Sequence, residues 1–326
     1  MIDLLPVLVQ ATATMRLQLK QWFARYPAGM PWSVVSDYCI GDVNKGNDVF
    51  SFVVVAPHDK AENICEYIAG VAPKDLKNTS KVPLGLIQYL TCEVPVTFSV
   101  SFVMRREAAL LRDYLSIEAM NALVAGAISF MDDRLSLYQD ARDINYHRSA
   151  IKRLKAFERD LGHKGVNAKL ARQIHLVAAM IATLCNMLNQ TVSARVIRWI
   201  SDRDALFERH DAVVSDLAYV YYLIQAIEFT TPQQRNAQNL GASLATLSFE
   251  IPEKTGKHRF DELVRLPDYL AGTLADLDSE TMVVSKEKFD VVLSNVFINS
   301  KNNWLVQLLS NGERITARSA LFRGGS

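Results

Sequence analysis

Trp32-Ser33-Val34-Val35-Ser36-Asp37 decides how the rest of this 326-residue chain is read. A short run rich in β-branched and aromatic residues that ends in a carboxylate has the make-up of a strand carrying an acid to the edge of a sheet. Open α/β sheets put their ligands at such strand ends. A second run, Val196-Ile197-Arg198-Trp199-Ile200-Ser201-Asp202, repeats the pattern. A third aspartate, Asp268, lies in Leu266-Pro267-Asp268-Tyr269-Leu270-Ala271-Gly272, inside an apolar helical stretch long enough to pack beside those strand ends. Three carboxylates so placed form a set of hard oxygen donors for Mg²⁺ or Mn²⁺.

The segments around them predict an α/β fold. Residues 8–26 carry apolar side chains at helical spacing and end before Pro27-Ala28-Gly29, which predicts an amino-terminal helix over about 1–30. Residues 33–40 and 48–56 are strand-like, with the loop chemistry of residues 41–47 between them, as in a hairpin. Short helices are expected at 60–69 and 83–90 around a linker at 73–82. Residues 94–104 alternate through Val96, Phe98, Val100 and Phe102 as a third strand. From 105 to about 190 the pattern is helical, with breaks at 140–146 and 162–167, and is larger than a crossover requires. A fourth strand (192–201), a helix (211–229), a fifth strand (244–251) and a helix (258–277) follow, giving β-β-β-α-β-α-β-α over 31–278. Strand-like runs at 289–299, 304–309 and 314–317, with a turn at Asn311-Gly312, predict a small β appendage over 279–326.

Composition bounds the function. A net charge of +1 excludes a uniformly basic nucleic-acid glove, so any basic footprint is local. Cys39, Cys65, Cys92 and Cys185 are scattered, without a Cys-x-x-Cys pair, and suggest neither zinc nor a disulfide framework. The first ten residues lack the pattern of a signal peptide, and the apolar stretch 174–188 is too short to span a bilayer. These features predict a cytoplasmic protein without a membrane segment. No Gly-rich phosphate loop, Gly-x-Ser-x-Gly or His-Asp pairing points to a small-molecule α/β enzyme.

The order of elements, with aspartates on the first strand, at the end of the fourth and in the last helix, resembles the RNase H-like nuclease superfamily. The nearest likeness is to an uncharacterised bacterial and mobile-element family of domain-of-unknown-function proteins with that fold. It covers about residues 30–278, with the helical block as an insertion, and rests on Asp37 with Gly41, on Asp202-Arg203, and on Asp268-Tyr269-Leu270-Ala271-Gly272. Tyr38-Cys39-Ile40 and Pro267 stand where the family has acidic-Ser-Gly and Ala. The resemblance implies an RNase H-like mixed sheet and a nuclease that hydrolyses phosphodiester bonds of RNA or DNA with Mg²⁺ or Mn²⁺, in defence or in a mobile element. Asp37, Asp202 and Asp268 would be the metal ligands, with Asp37 bridging two ions. The fourth carboxylate is expected to be Glu107, near the third strand's end, ahead of Glu118, three turns on. Asp204 and Asp42 are reserves for Asp202 and Asp37.

The local basic footprint is in the helical block. Between Arg142 and Arg172 nine basic residues face three acidic ones, and Arg148, Lys152, Lys155 and Arg159 share one helical face that would line a phosphate backbone. The tail adds Lys301, Arg314, Arg318 and Arg323 against Glu313, with Trp304 as either a stacking platform or core. The alternative is a catalytically inactive RNase H-like module that binds nucleic acid or a protein partner through the helical insertion, or self-associates through apolar faces around Val177 and Ile181.

Overall fold

Seven strands form one mixed sheet in the computed structural model, which describes residues 4–108, 110–210, 212–228, 244–250, 260–310 and 314–320. The strands are β1 (Pro31–Cys39), β2 (Asn47–Val55), β3 (Thr97–Arg105), β4 (Val196–Ser201), β5 (Thr246–Glu250), β6 (Asn303–Ser310) and β7 (Ile315–Ala320), in the order β5-β4-β1-β2-β3-β6-β7. Antiparallel pairing joins β1 to β2 and β2 to β3, and β4 and β5 add in parallel on the free side of β1. The hairpin loop after β1 is closed by the Gly41 N–H, which donates to Asp48 Oδ1 at 2.6 Å. Gly41 sits at φ +76°, a conformation that disfavours residues with a Cβ.

The helices are α1 (Leu4–Ala11), α2 (Ala13–Phe23), α3 (Ala61–Val71), α4 (Leu84–Leu90), α5 (Leu110–Asp113), α6 (Ile117–Leu135), α7 (Ala141–Leu161), α8 (Ala168–Val192), α9 (Ala205–Glu208), α10 (Val213–Glu228), α11 (Asp261–Asp276) and α12 (Glu287–Val292). Strand alternation divides the core between two sides of the sheet. Trp32, Val34, Tyr38, Phe50, Phe52, Phe98 and Phe102 face the helical block, and Val35, Val49, Val53 and Ile200 face α11. All nine residues of β2 are buried, which accounts for its continuous Phe50-Ser51-Phe52-Val53-Val54-Val55 run.

Within the helical block, α8 is the central element and packs most closely against α10. Asn186 donates to Tyr222 O and to Gln225 Oε1, both at 3.0 Å, and Gln225 donates to Thr183 Oγ1 at 2.8 Å. This polar chain, with the buried His175–Tyr221 bond at 2.7 Å, fixes the register of the two helices, because buried polar groups must find partners. Side-chain caps start the long helices: Ser116 for α6, Asp140 for α7 and Asn167 for α8.

Several expectations are corrected. The amino-terminal helix is two helices, because Thr12 turns its hydroxyl onto the Leu8 carbonyl at 2.9 Å between them. Residues 141–146 begin α7 and are not a break. The stretch 174–188 belongs to a helix of 25 residues, long and apolar enough by composition to cross a bilayer, but buried inside the fold. Residues 289–299 are helical, as α12 followed by a π-helical turn (Leu293–Ile298), since Phe289, Val292, Leu293, Val296 and Phe297 bury one helical face. The expected separate β appendage is absent as such: β6 pairs in parallel with β3, and β7 with β6, so both strands widen the main sheet. Trp304 is core, at 5 % exposure. The Asn311-Gly312 turn, Glu313 and Arg323 lie outside the described residues.

Candidate acidic site

The parallel ladder between β1 and β4 brings Asp37 and Asp202 together. Ser36 is paired with Ser201, and the Asp202 N–H extends the ladder one step by donating to the Ser36 carbonyl at 3.0 Å. Paired residues of neighbouring strands project to the same side, and the alternation set by Val35 and Ile200 sends both aspartates toward α11. On the opposite side, Ser36, Ser201, Tyr38 and Trp199 close a buried hydroxyl network in which Trp199 Nε1 donates to Ser36 at 2.8 Å. That network pins the register on which the two carboxylates depend.

Asp268 reaches the site from α11, which lies across β1 and β2 and packs on α3. Its Oδ2 accepts the Leu76 N–H at 2.6 Å. The connection between α3 and α4 is strapped to this helix, and to α12, at further points. Arg265 donates to the Ala72 carbonyl at 2.8 Å, Tyr269 to that of Lys74 at 3.1 Å, and Lys288 to those of Leu76 at 2.6 Å and Thr79 at 2.9 Å. Gly272 makes the approach possible, because a Cβ there would stand 2.5 Å from Leu76 Cδ2. Pro267, buried inside the helix, removes one backbone donor next to Asp268.

The electrostatics describe one connected cluster. Burial raises the Asp37 carboxyl well above the usual range, and Asp268, Asp202 and Asp204 add to it; the Tyr38 N–H acts the other way. Asp268 is pushed up to about 6, first by burial, against the Leu76 hydrogen bond and with Asp75 and Asp202 adding. Asp202 is also raised, chiefly by protein crowding around its carboxyl, then by Asp75, Asp204 and Asp261, against a bond from the Arg203 N–H. By surface area Asp202 is exposed, so it forms the solvent rim of the cluster and Asp37 its buried end.

Sequence reasoning missed Asp75 and Asp261. Asp75 starts a single 3₁₀ turn (Leu76–Asn78) in what reads locally as a linker, and Arg265 Nε stands 4.0 Å from it. Nothing short-range distinguishes it from an ordinary turn former; its neighbourhood exists only once α11 packs on the strap. Glu107 is exposed on a 3₁₀ turn beyond β3, which β2 separates from β1, and it is not among the groups that act on Asp37, Asp202 or Asp268. Glu118 serves its own helix start with Ser116. Asp204 accepts the Leu206 N–H at 3.0 Å as the cap of α9 while adding its charge to the cluster, and Asp42 accepts the Asn44 N–H in the hairpin loop.

The donor set is carboxylate oxygen throughout, which suits Mg²⁺ or Mn²⁺ better than softer ions. Of the basic side chains beside it, Lys77 acts on Asp268 against its rise, and Arg203, next to Asp202, is paired with Glu208 at 2.6 Å. The carboxylates sense one another without forming a finished coordination shell, since among the described residues no three acidic, histidine or cysteine side chains are drawn up as a metal-binding set. Electrostatic coupling acts over longer distances than coordination, so the two observations together describe neighbouring carboxylates that do not meet in one coordination set.

Arg148, Lys152, Lys155 and Arg159 are exposed along α7, as their spacing predicts. The far end of this helix reaches the same end of the sheet as the acidic cluster. Phe157 packs on His210 at 4.9 Å, eight residues beyond Asp202, and Lys169 at the start of α8 lies against Gly41. Val177 and Ile181, expected as an association face, are buried at 0 % and 1 % exposure and cannot form one. No family model, curated protein or solved structure matches the chain.

Proposed function

We propose that this chain is a metal-dependent nuclease of the RNase H-like class, hydrolysing phosphodiester bonds of RNA or DNA. The carrying observation is that Asp37 and Asp202 stand side by side on two neighbouring parallel strand ends while Asp268, on the covering helix, adds its charge to Asp37. The sheet order supports it, with three antiparallel strands first and two more added in parallel beside β1. Asp37, Asp202 and Asp268 would hold Mg²⁺ or Mn²⁺. Such an ion supplies an activated water and neutralises charge on the phosphate. Asp37, fixed in the middle of the sheet, sets the depth of the site; Asp202 at the rim leaves room for substrate; the strap on α11 orients Asp268. Arg148, Lys152, Lys155 and Arg159 would track the phosphate backbone.

The test is cleavage of labelled single-stranded, duplex and hybrid RNA and DNA with Mg²⁺ or Mn²⁺. Cleavage that disappears with chelator and in Asp37→Asn and Asp202→Asn supports the proposal. Wild-type protein that neither cleaves any of these nor gains thermal stability with either ion refutes it, as does full cleavage by the double variant.

Two observations favour a catalytically inactive binding module as the second reading. Glu107 stays outside the cluster, and Asp268 already spends one oxygen on the Leu76 N–H. Such a module would retain salt-sensitive nucleic-acid binding or a protein partner through α7, with no ion dependence.

A further inference from the structure

On the side of the sheet away from Asp37, the ends of α6 and α7, the length of α10 and strand β5 line a half-open cavity of about 770 Å³. Small-molecule sites typically measure about 300–1,000 Å³ and combine aromatic walls with a few fixed polar groups. Six rings contribute here: Tyr138, Tyr146, His147, Tyr219, Tyr222 and Phe249. Their orientations are set by one another. Tyr138 lies 4.2 Å from His147, while Tyr146 and His147 meet Tyr219 edge-on at 5.8 and 5.6 Å.

The polar groups are equally fixed. Arg153 grips both oxygens of the buried Asp216, each at 2.8 Å. Tyr138 and Tyr219 share a hydrogen bond at 3.2 Å, in which one hydroxyl donates and the other keeps its own hydrogen to offer. His147 Nδ1 is 2.8 Å from the Asp143 carbonyl and must donate to it. Burial favours the neutral imidazole, and burial likewise keeps the Tyr146 and Tyr219 hydroxyls protonated. Two arginines balance two aspartates in the wall, so the cavity selects neither a strong anion nor a cation.

We infer that this cavity binds a nucleobase, as a free nucleoside or as the base of a strand. A nucleobase is planar, uncharged, and carries hydrogen-bond donors and acceptors at its edge, which matches preorganised rings with neutral hydroxyls between them. An aliphatic ligand would leave those hydroxyls unmatched. This site is separate from the acidic cluster and does not depend on the nuclease reading.

The test is titration calorimetry with adenosine, guanosine, cytidine and uridine, alongside short single-stranded trinucleotides, with p-cresol and indole as plain aromatic controls. At least one nucleoside or trinucleotide should bind with Kd below about 1 mM, tenfold or more tighter than the controls. Leu223→Trp and Leu247→Trp fill the cavity from two different walls and should each abolish binding; circular dichroism melts identify which variants fold. Tyr219→Phe removes only the shared hydroxyl and should weaken binding several-fold, whereas Asp37→Asn should leave it unchanged. Binding confined to trinucleotides assigns the cavity to a base within a strand. No binding of any nucleoside or trinucleotide, equal binding of p-cresol, or full binding by a folded cavity-filling variant overturns the inference.

Discussion

Asp37 and Asp202 stand side by side because the ladder that pairs Ser36 with Ser201 runs one residue further, through the Asp202 N–H to the Ser36 carbonyl at 3.0 Å. Two like charges are thereby held on one face of the sheet, with Asp268 above them, by backbone bonds that the carboxylates themselves do not make.

Removing one of these charges should therefore relieve repulsion in the ion-free protein. Asp37→Asn is expected to raise the melting temperature at pH 7 in chelator, and to abolish the further rise that Mg²⁺ or Mn²⁺ gives the wild type. A calorimetric scan with and without the ion checks both, and a lower melting temperature in chelator contradicts the argument.

The pH dependence follows from Asp268, whose carboxyl titrates near 6 when folded against an ordinary value of 3.8. Between those values the folded state holds the proton more tightly than the unfolded chain, so this group's contribution to stability is greatest below pH 4 and declines as pH rises through 6. Asp268→Asn should flatten the decline between pH 4 and 7 in urea titrations without ions. An identical pH slope in the variant would exclude Asp268 as its source.

The Arg153–Asp216 pair predicts an asymmetric stability pattern. Asp216 is almost fully enclosed, with its side chain at 1 % exposure, so Arg153→Met should cost about 3–5 kcal/mol by removing the guanidinium that grips both of its oxygens. Arg153→Met with Asp216→Leu should recover most of that loss, since the buried carboxylate is then removed as well. Denaturant midpoints of the two variants decide the point.

Gly272→Ala tests the strap. Leu76 is buried and has little room to withdraw from a new methyl group, so a loss of about 1–3 kcal/mol is expected. Cleavage should fall with it, because the same displacement moves the Leu76 N–H that orients Asp268.

Reversing charge at Lys152, Lys155 and Arg159 should leave stability nearly unchanged, as all three are exposed. It should lower the slope of log affinity against log salt for nucleic acid by about 0.9 for each phosphate that is no longer neutralised. An unchanged slope would remove α7 from the substrate path.

β1 and β2 were legible from the sequence to within a residue or two, because both are rich in β-branched and aromatic residues and β2, buried along its whole length, ends in a nearly continuous apolar run. Residues 289–299 misled, since Val291, Val292, Val296 and Ile298 carry strand propensity while the burial of Phe289, Val292, Val296 and Phe297 follows a helical period. Tertiary packing overrode local preference there. Of the candidate cluster, Asp37, Asp202 and Asp268 stood out in the sequence because each follows or interrupts an apolar pattern. Asp75 did not: its role comes from contact with a helix nearly 200 residues away, which no local window contains.

That separation has a temporal side. Leu76 and Asp268 are 192 residues apart, and Leu76 and Lys288 are 212 apart. At about 5–20 residues per second, the ribosome needs on the order of ten seconds or more to deliver the helix that the strap waits for. A nascent chain stopped before residue 261 carries Asp37 and Asp202 but none of the bonds that seat Asp268, so the acidic cluster is among the last features of this protein to come into being.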